Sequence, residues 1–298
     1  MTQPSRTTVA SITFEGDHRL TALQALSVDR LFELDELEEY LIVLNGRDNS
    51  DLRVTLAGLL YGAVSAELWD RIRFLVPADI PRGGDGQGWH GQQALKLGLA
   101  DLVRTDTYLM LDGKNHFVRP AGVADFYETG RPKTVWSDTS PYWDKYVRAS
   151  LDAFDVLTDE NARRMMPTTT PYLFISEEVR GTIDGLESKY GIPLKSAMGK
   201  TKWGTEFFLY YAHLVAEDKL GLYVDAPSPV RTLFTSWPQD PAAVLRMIAE
   251  AASGEVVMFG LHRNRLSQLT EEQRNAVTSM WHQDLLKPWE QGDWFMEQ

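Results

Sequence analysis

The stretch Thr107-Tyr108-Leu109-Met110-Leu111-Asp112-Gly113-Lys114-Asn115-His116-Phe117-Val118-Arg119-Pro120 sets the reading of this chain. Its first residues are mostly apolar and predict a short buried strand, which runs into Asp112, a glycine and three side chains able to bind ligands. An Asp-Gly pair after a strand is also an ordinary turn. A carboxylate at the C-terminal end of a buried strand is nevertheless where open α/β sheets place their ligand chemistry. The segments on either side decide between the two.

Upstream, Thr8–Phe14 reads as a strand closed by Glu15-Gly16-Asp17, with Asp17 as N-cap of a helix carrying Leu20, Leu23, Leu26, Leu31 and Phe32 at helical spacing. Tyr40–Leu44 is a second strand stopped by Asn45-Gly46, residues 51–64 are helix-like, and Ile72–Val76 is a third strand closed by Pro77. Strand alternating with helix predicts an α/β fold: parallel pairing with right-handed crossovers and a sheet covered by helices on both faces. Residues 81–88 are too rich in glycine for a regular element. The helix opening at Trp89 then puts Leu95, Leu99, Leu102 and Val103 on one face, and Gln92, Gln93 and Lys96 on a neighbouring flank. Such a flank is either solvated or a phosphate or sugar contact.

Composition excludes several classes. The 298 residues are 43% hydrophobic, enough for one large domain. A formal charge of −12 and a pI near 5.0 argue against nucleic acid or an anionic membrane as partner. No cysteine is present, so thiol catalysis and thiolate metal sites are excluded. The polar start at residues 1–8 lacks the apolar core of a secretory signal, and no run is long enough to span a bilayer, which places the protein in the cytoplasm.

Two motifs carry a resemblance. Gly88-Trp89-His90-Gly91-Gln92-Gln93-Ala94-Leu95-Lys96-Leu97 fits G-W-x-x-Q-Q-x-x-K-L, and Tyr108-Leu109-Met110-Leu111-Asp112-Gly113-Lys114-Asn115 fits Y-L-x-L-D-[ASG]-[DK]-N. Together with Pro120 they resemble a bacterial family of glycosyltransferase-like proteins, similar to nucleotide-sugar-dependent enzymes of the GT-A type. The resemblance implies an α/β fold with a GT-A-like, Rossmann-type mixed, mainly parallel sheet and helices on both faces, in a single domain over 1–298, with a nucleotide-sugar-binding half at 8–120 and an acceptor-side half with C-terminal helices at 121–298. It also implies a divalent Mn or Mg ion on an Asp-x-Asp strand end. Asp112 matches the first carboxylate; the second position is Lys114, which cannot bind a cation and offers a fixed positive charge in its place. Lys96 matches the place where similar enzymes present a cation to the donor phosphates. Trp89, Gln92, Gln93, Asn115 and His116 are further expected donor contacts.

In the second half, residues 141–156 predict an amphipathic helix whose aromatics, Tyr142, Trp143 and Tyr146 among them, are read as core. Pro167–Phe174 reads as a polar turn, with a helix over Ser176–Tyr190 after it. In Lys202-Trp203-Gly204-Thr205-Glu206-Phe207, Thr205 or Gly204 starts a helix whose dipole favours the Glu206 carboxylate. The resemblance makes Glu206 the acceptor-side catalytic acid; the alternative is that it only stabilises its helix. Strands are predicted at 221–225 and 255–261, and a helix at 241–252. The late strand runs into His262-Arg263-Asn264-Arg265, where the resemblance implies a metal-ligating His262 with Arg263 and Arg265 beside the diphosphate. Thr270 and Gln273 predict a capping box for the closing helix.

Three functions fit. The first is a glycosyltransferase moving a sugar from a nucleotide-sugar donor to a hydroxyl acceptor, with Glu206 and Lys114 in catalytic roles. The second is a non-catalytic nucleotide-sugar-binding protein of the same fold. The third is a metal-dependent phosphohydrolase or nucleotidyltransferase, ranked last because no second acidic cluster is visible.

Overall fold

The computed structural model describes residues 4–297. Part of the polar N-terminal reading falls on residues 1–3, outside the described residues. Strand β1 (Thr7–Thr13) is almost wholly buried and leads through a 3₁₀ turn into helix α1 (His18–Leu31). Strand β2 (Leu37–Leu44) follows, then α2 (Asn49–Leu60), started by Asp48, whose carboxylate accepts the N–H groups of Ser50 and Asp51. Helix α3 (Ala66–Arg71), capped by Ser65, feeds β3 (Ile72–Leu75). Helix α4 (Gly88–Gly98) then returns the chain to β4 (Thr107–Asp112) and the short β5 (Asn115–Phe117).

Beyond these lie α5 (Asp144–Ala153), β6 (Tyr172–Ile175), α6 (Ser176–Tyr190), α7 (Glu206–Ala216), β7 (Val230–Leu233), α8 (Pro241–Ala252), β8 (Met258–Leu261), α9 (Arg263–Leu266) and α10 (Glu271–Asp284). The principal sheet has the order β6-β4-β1-β2-β3 and is mainly parallel, with β6 antiparallel to β4 and Tyr172 opposite Met110. From β1 the chain builds outward to β2 and β3, then crosses back to lay β4 on the other side of β1. The strand order therefore reverses between β1 and β4, and in open α/β sheets ligands bind outside the strand ends at such a switch. Asp112 terminates β4, and Asp17 follows the end of β1 by four residues.

The chain forms two compact units, each assembled from separated segments. One holds the described residues up to Ala10, Leu75–Met110 and Tyr127–Pro227; the other holds Ser11–Phe74, Leu111–Phe126 and the described residues from Ser228 on. Their boundaries pass through β1 after Ala10 and through β4 after Met110. In the first unit, α7 is buried from Glu206 to Leu214, as an all-round apolar helix requires. In the second, α1 buries Leu20, Leu23, Leu26 and Leu31, and α8 packs on α10. The second unit also contains a small sheet in which β8 lies parallel to β7 and antiparallel to β5. Among the described residues no helix is long and apolar enough to cross a membrane.

Several local expectations hold. Helices α6 and α8 have the predicted bounds, Thr205 caps α7 by accepting the N–H of Phe208, and Thr270 with Gln273 forms the capping box of α10. Others are corrected. Tyr172–Ile175 is an edge strand, because its apolar residues pair with β4; it is not the tail of a turn. Val230–Leu233, unmarked in the sequence reading, is a strand, whereas the strand expected at 221–225 shrinks to Val224–Asp225. Asp17 stands at the N-cap position of α1 without a side-chain cap, and Ser176 donates its hydroxyl to Thr105 O instead of capping α6. Helix α5 begins only at Asp144, which leaves Tyr142 and Trp143 before it and Tyr142 exposed.

Candidate functional site

In the second unit, a buried amide sets the Asp112–Asn115 turn. Gln24, wholly buried on α1, donates Nε2–H to Asp112 O at 2.8 Å and to Asn115 O at 2.6 Å, while its Oε1 accepts the Tyr40 hydroxyl at 2.7 Å. Asn115 Oδ1 in turn accepts the Asp112 N–H at 3.1 Å. The turn is thus held from inside and outside the core, and the Asp112 and Lys114 side chains form an ion pair. At Gly113 an added Cβ would stand 3.1 Å from Thr21 Oγ1 and 3.3 Å from Asp17 Cβ, so glycine permits this close approach to α1. The role of Gln24 was missed, although an amide among the leucines of a core helix face is the signal that marks it.

The small sheet delivers the second half of this centre. Gly260 pairs with Asn115, Leu261 N–H donates to Lys114 O at 2.9 Å, and His262 N–H donates to Leu233 O at 3.0 Å. This register carries His262 and Arg263 to the Asp112–Lys114 turn, where all four interact electrostatically with their neighbours. The Arg263 guanidinium lies 4.5 Å over the Phe14 ring and reaches Asp17 Oδ1 at 3.8 Å, passing so close to Gly16 that a side chain there would meet it. Burial pushes the Asp17 carboxyl up to about 6; Asp112 adds to the rise, while Arg263 and Lys114 oppose it. His262 is held below the ordinary imidazole value, first by burial and then by Lys114 and Arg263, with Asp112 opposing. Arg263 also lines a pocket of about 120 Å³ with Glu15, His18, Arg19 and Asn264. Nucleotide-sized ligands need roughly 300 Å³ or more, so this pocket by itself is no nucleotide site.

The chemistry of these donors decides what they can hold. His262 Nδ1 accepts the Asn264 N–H at 3.2 Å, and the Thr235 hydroxyl donates to the same nitrogen at 2.9 Å. The neutral ring therefore carries its proton on Nε2, which is a donor. Binding a cation there would move that proton to Nδ1 and break the bond from Asn264. The Asp112 carboxylate is already engaged by an ammonium, and among the described residues no three His, Asp or Glu side chains are grouped as a metal would require. This set does not fit a resident Mn or Mg ion. It fits an anion: two cations and an N–H donor around one turn.

Three expected donor contacts take other places. His116 is a core residue whose Nε2 accepts the Trp281 Nε1–H at 2.8 Å, packed edge-on against Phe259 and Trp281, and burial pushes it down to about 3. Enclosed by these rings, its side chain is 1% exposed and meets no solvent-facing surface. Asn115 is buried and spent on holding the turn. Arg265 is buried, with Nη2 donating to Pro238 O at 2.9 Å, so it ties the loop before α8 and does not face a diphosphate.

The first unit carries a different arrangement. Lys96 on α4 reaches Glu206 Oε1 at 3.0 Å and stands 5.2 Å over the Phe207 ring. Both side chains are largely buried, and the Tyr108 hydroxyl donates to Lys96 O at 2.9 Å. Lys96 is thus the partner of Glu206. Gln92 and Gln93 do not act as a pair: Gln92 faces solvent, whereas Gln93 is buried, its Oε1 lacking a hydrogen-bond partner among the described residues. Trp89 is half exposed among other aromatic rings.

Residues 20–232 match the model of a family of unknown function, DUF6492. The chain belongs to this family. No curated protein matches it. Among solved structures, the apo bifunctional glycosyltransferase WbbM is similar at a TM-score of 0.51 and 10% identity, over 86% of this chain and 45% of the WbbM chain. The DUF6492 chain thus spans less than half of that protein. The galactosyltransferase LgtC, solved with donor and acceptor sugar analogs, matches at a TM-score of 0.47 and 14% identity, over 92% of this chain and 96% of its own. Mouse xyloside xylosyltransferase 1 matches at 0.38 and 12%, over 86% of this chain and 98% of its own. The likeness to WbbM shows a shared GT-A-like fold; the two lower scores carry no argument.

Proposed function

We propose that this DUF6492 protein is a glycosyltransferase that moves a sugar from a nucleoside-diphosphate donor to a hydroxyl acceptor. The observation that carries the reading is the grouping of Lys114, Arg263 and His262 around Asp112, at the switch point of the sheet. In the transfer, the bond from the anomeric carbon to the diphosphate oxygen breaks with its electron pair leaving on the diphosphate. The acceptor oxygen bonds to that carbon and gives up its proton to the Glu206 carboxylate. Lys114 and Arg263 stabilise the leaving charge, and His262 donates a hydrogen bond to a phosphoryl oxygen. Asp112 holds the Lys114 ammonium at the turn and gives a donor hydroxyl an acceptor. Glu206, kept in place by Lys96 and the start of α7, is the acceptor-side acid. The sugar, the nucleotide base and the acceptor belong to the experiment.

A thermal-shift screen of UDP, GDP and their sugars, in EDTA and in Mn²⁺, tests the donor site. Stabilisation by a diphosphate is expected in EDTA, is lost in Lys114→Ala, and becomes Mn²⁺-dependent in Lys114→Asp, which restores two carboxylates. Absence of any shift, or a shift unchanged in Lys114→Ala, overturns the reading. The burial of Glu206 favours a second reading, in which the donor is held without transfer. Product formation that Glu206→Gln reduces about 100-fold or more supports the enzyme; donor binding without turnover across a broad acceptor panel supports the second reading.

A further inference from the structure

The first unit exposes an aromatic surface that the donor site does not use. Trp89 enters from the start of α4, Tyr142, Trp143 and Tyr146 come from the segment leading into α5, and Trp203 precedes α7. These five rings form one continuous chain: Trp89 to Tyr146 at 6.4 Å, Tyr142 to Trp143 at 4.8 Å, Trp143 to Tyr146 at 5.2 Å and Tyr146 to Trp203 at 5.4 Å, each edge to face. Their relative accessibilities include 50% for Trp89 and 65% for Tyr142, and Trp143, Tyr146 and Trp203 are half-buried, so this is a surface and not a core. Beneath it, wholly buried Phe208 meets Trp143 at 5.7 Å, which anchors the surface to the helix that begins at Glu206.

The composition of the surface selects its occupant. All five rings carry an N–H or O–H group. A pyranose presents polarised C–H groups on one face and hydroxyls at its rim. Ring faces are electron-rich and attract such positive C–H groups, while the N–H and O–H edges pair with hydroxyls. One face already takes a positive partner, since Lys145 Nζ stands 4.0 Å over Trp203. Lys202 lies at 5.6 Å from the same ring, and a twofold contact between two copies of this surface would bring these lysines toward their own images. Directly behind Trp89, whose ring lies 5.0 Å from that of His90, the buried His90 Nε2 has no hydrogen-bond partner among the described residues, leaving polar capacity at the edge of the surface.

We propose that Trp89, Tyr142, Trp143, Tyr146 and Trp203 form a carbohydrate-binding platform that receives the saccharide acceptor. The acceptor role rests on the transferase reading above; the binding of a saccharide does not. The test titrates cellobiose, lactose, maltose and diacetylchitobiose at millimolar concentration into the whole chain, read by tryptophan fluorescence and by saturation-transfer NMR. Wild type, Trp89→Ala/Tyr142→Ala and Lys114→Ala are compared, with circular dichroism to confirm that each is folded. At least one sugar is expected to bind saturably, with an affinity about tenfold lower in the double variant and unchanged in Lys114→Ala. Binding by none of the sugars, or equal binding by the double variant, overturns the proposal. So does concentration-dependent dimerisation of wild type that the double variant abolishes in sedimentation, which would assign the surface to a second copy. Saccharide binding that depends on Trp89 and Tyr142, in a protein that no nucleotide stabilises, keeps the platform and removes the transferase.

Discussion

Two ion pairs sit at the two candidate centres, and they are built oppositely. Lys114 and Asp112 are two residues apart on one turn and are 11% and 32% exposed, so the carboxylate is the open member of the pair. Lys96 and Glu206 are 110 residues apart, come from two helices, and are 12% and 6% exposed. The first pair can exchange its partner for a ligand, because water screens what is left behind. The second cannot lose a member cheaply, because a buried charge without its counter-charge is strongly disfavoured. A local, half-open pair suits a binding centre; a distant, buried one locks two helices in register.

That contrast can be broken by measurement. Lys96→Met should destabilise the protein by about 3–5 kcal/mol in urea unfolding, with most of the loss recovered in Lys96→Met/Glu206→Gln. A loss below about 1 kcal/mol would show that the pair is solvated and erase the distinction. Trp281→Phe, which leaves His116 Nε2 buried and unpaired, should cost about 1–3 kcal/mol. His116 also has a sign. Its folded value, about 3, lies below the ordinary imidazole value, so its contribution is present above about pH 6.5 and is lost as the pH falls toward 3. His116→Gln should therefore flatten the stability profile between pH 6.5 and 5, above the main carboxylate range.

Asp17 has the opposite sign. Its carboxyl is raised to about 6, so its contribution is full below the ordinary carboxylate value and is lost as the pH rises through about 6. Asp17→Asn should gain about 1–2 kcal/mol on wild type at pH 7.5 and nothing at pH 3.5, followed by thermal unfolding. A gain equal at both pH values would show that Asp17 is not buried against Asp112. Smallest of all, Lys114→Ala should change stability by less than about 1 kcal/mol while removing the nucleotide-induced shift. A large stability loss would make Lys114 a structural partner like Lys96.

Much of the α/β frame is legible in the order of the residues. The strands read at Thr8–Phe14, Tyr40–Leu44 and Thr107–Leu111 are present as Thr7–Thr13, Leu37–Leu44 and Thr107–Asp112, and the caps at Thr205 and Thr270 are local chemistry within three residues. What pattern reading loses is direction. His116 and Asn115 look like ligands beside Asp112, yet β5 pairs with β8 and both side chains are buried. Tyr142 and Trp143 look like core on a helical wheel, but α5 starts after them and leaves them on the surface. The edge strand at Tyr172–Ile175 was hidden because a four-residue apolar run following prolines reads equally well as a turn.

The sequence by itself determined the Asp112–Lys114 turn and its departure from a two-carboxylate site, because residues two apart at a strand end meet whatever the rest of the chain does. Only the tertiary structure decided that His262 presents an N–H donor, that Arg263 lies against Asp17, and that Lys96 belongs to Glu206. Those contacts depend on strand register and helix packing between segments far apart in the chain, and a one-residue shift in register would reverse the side each residue faces.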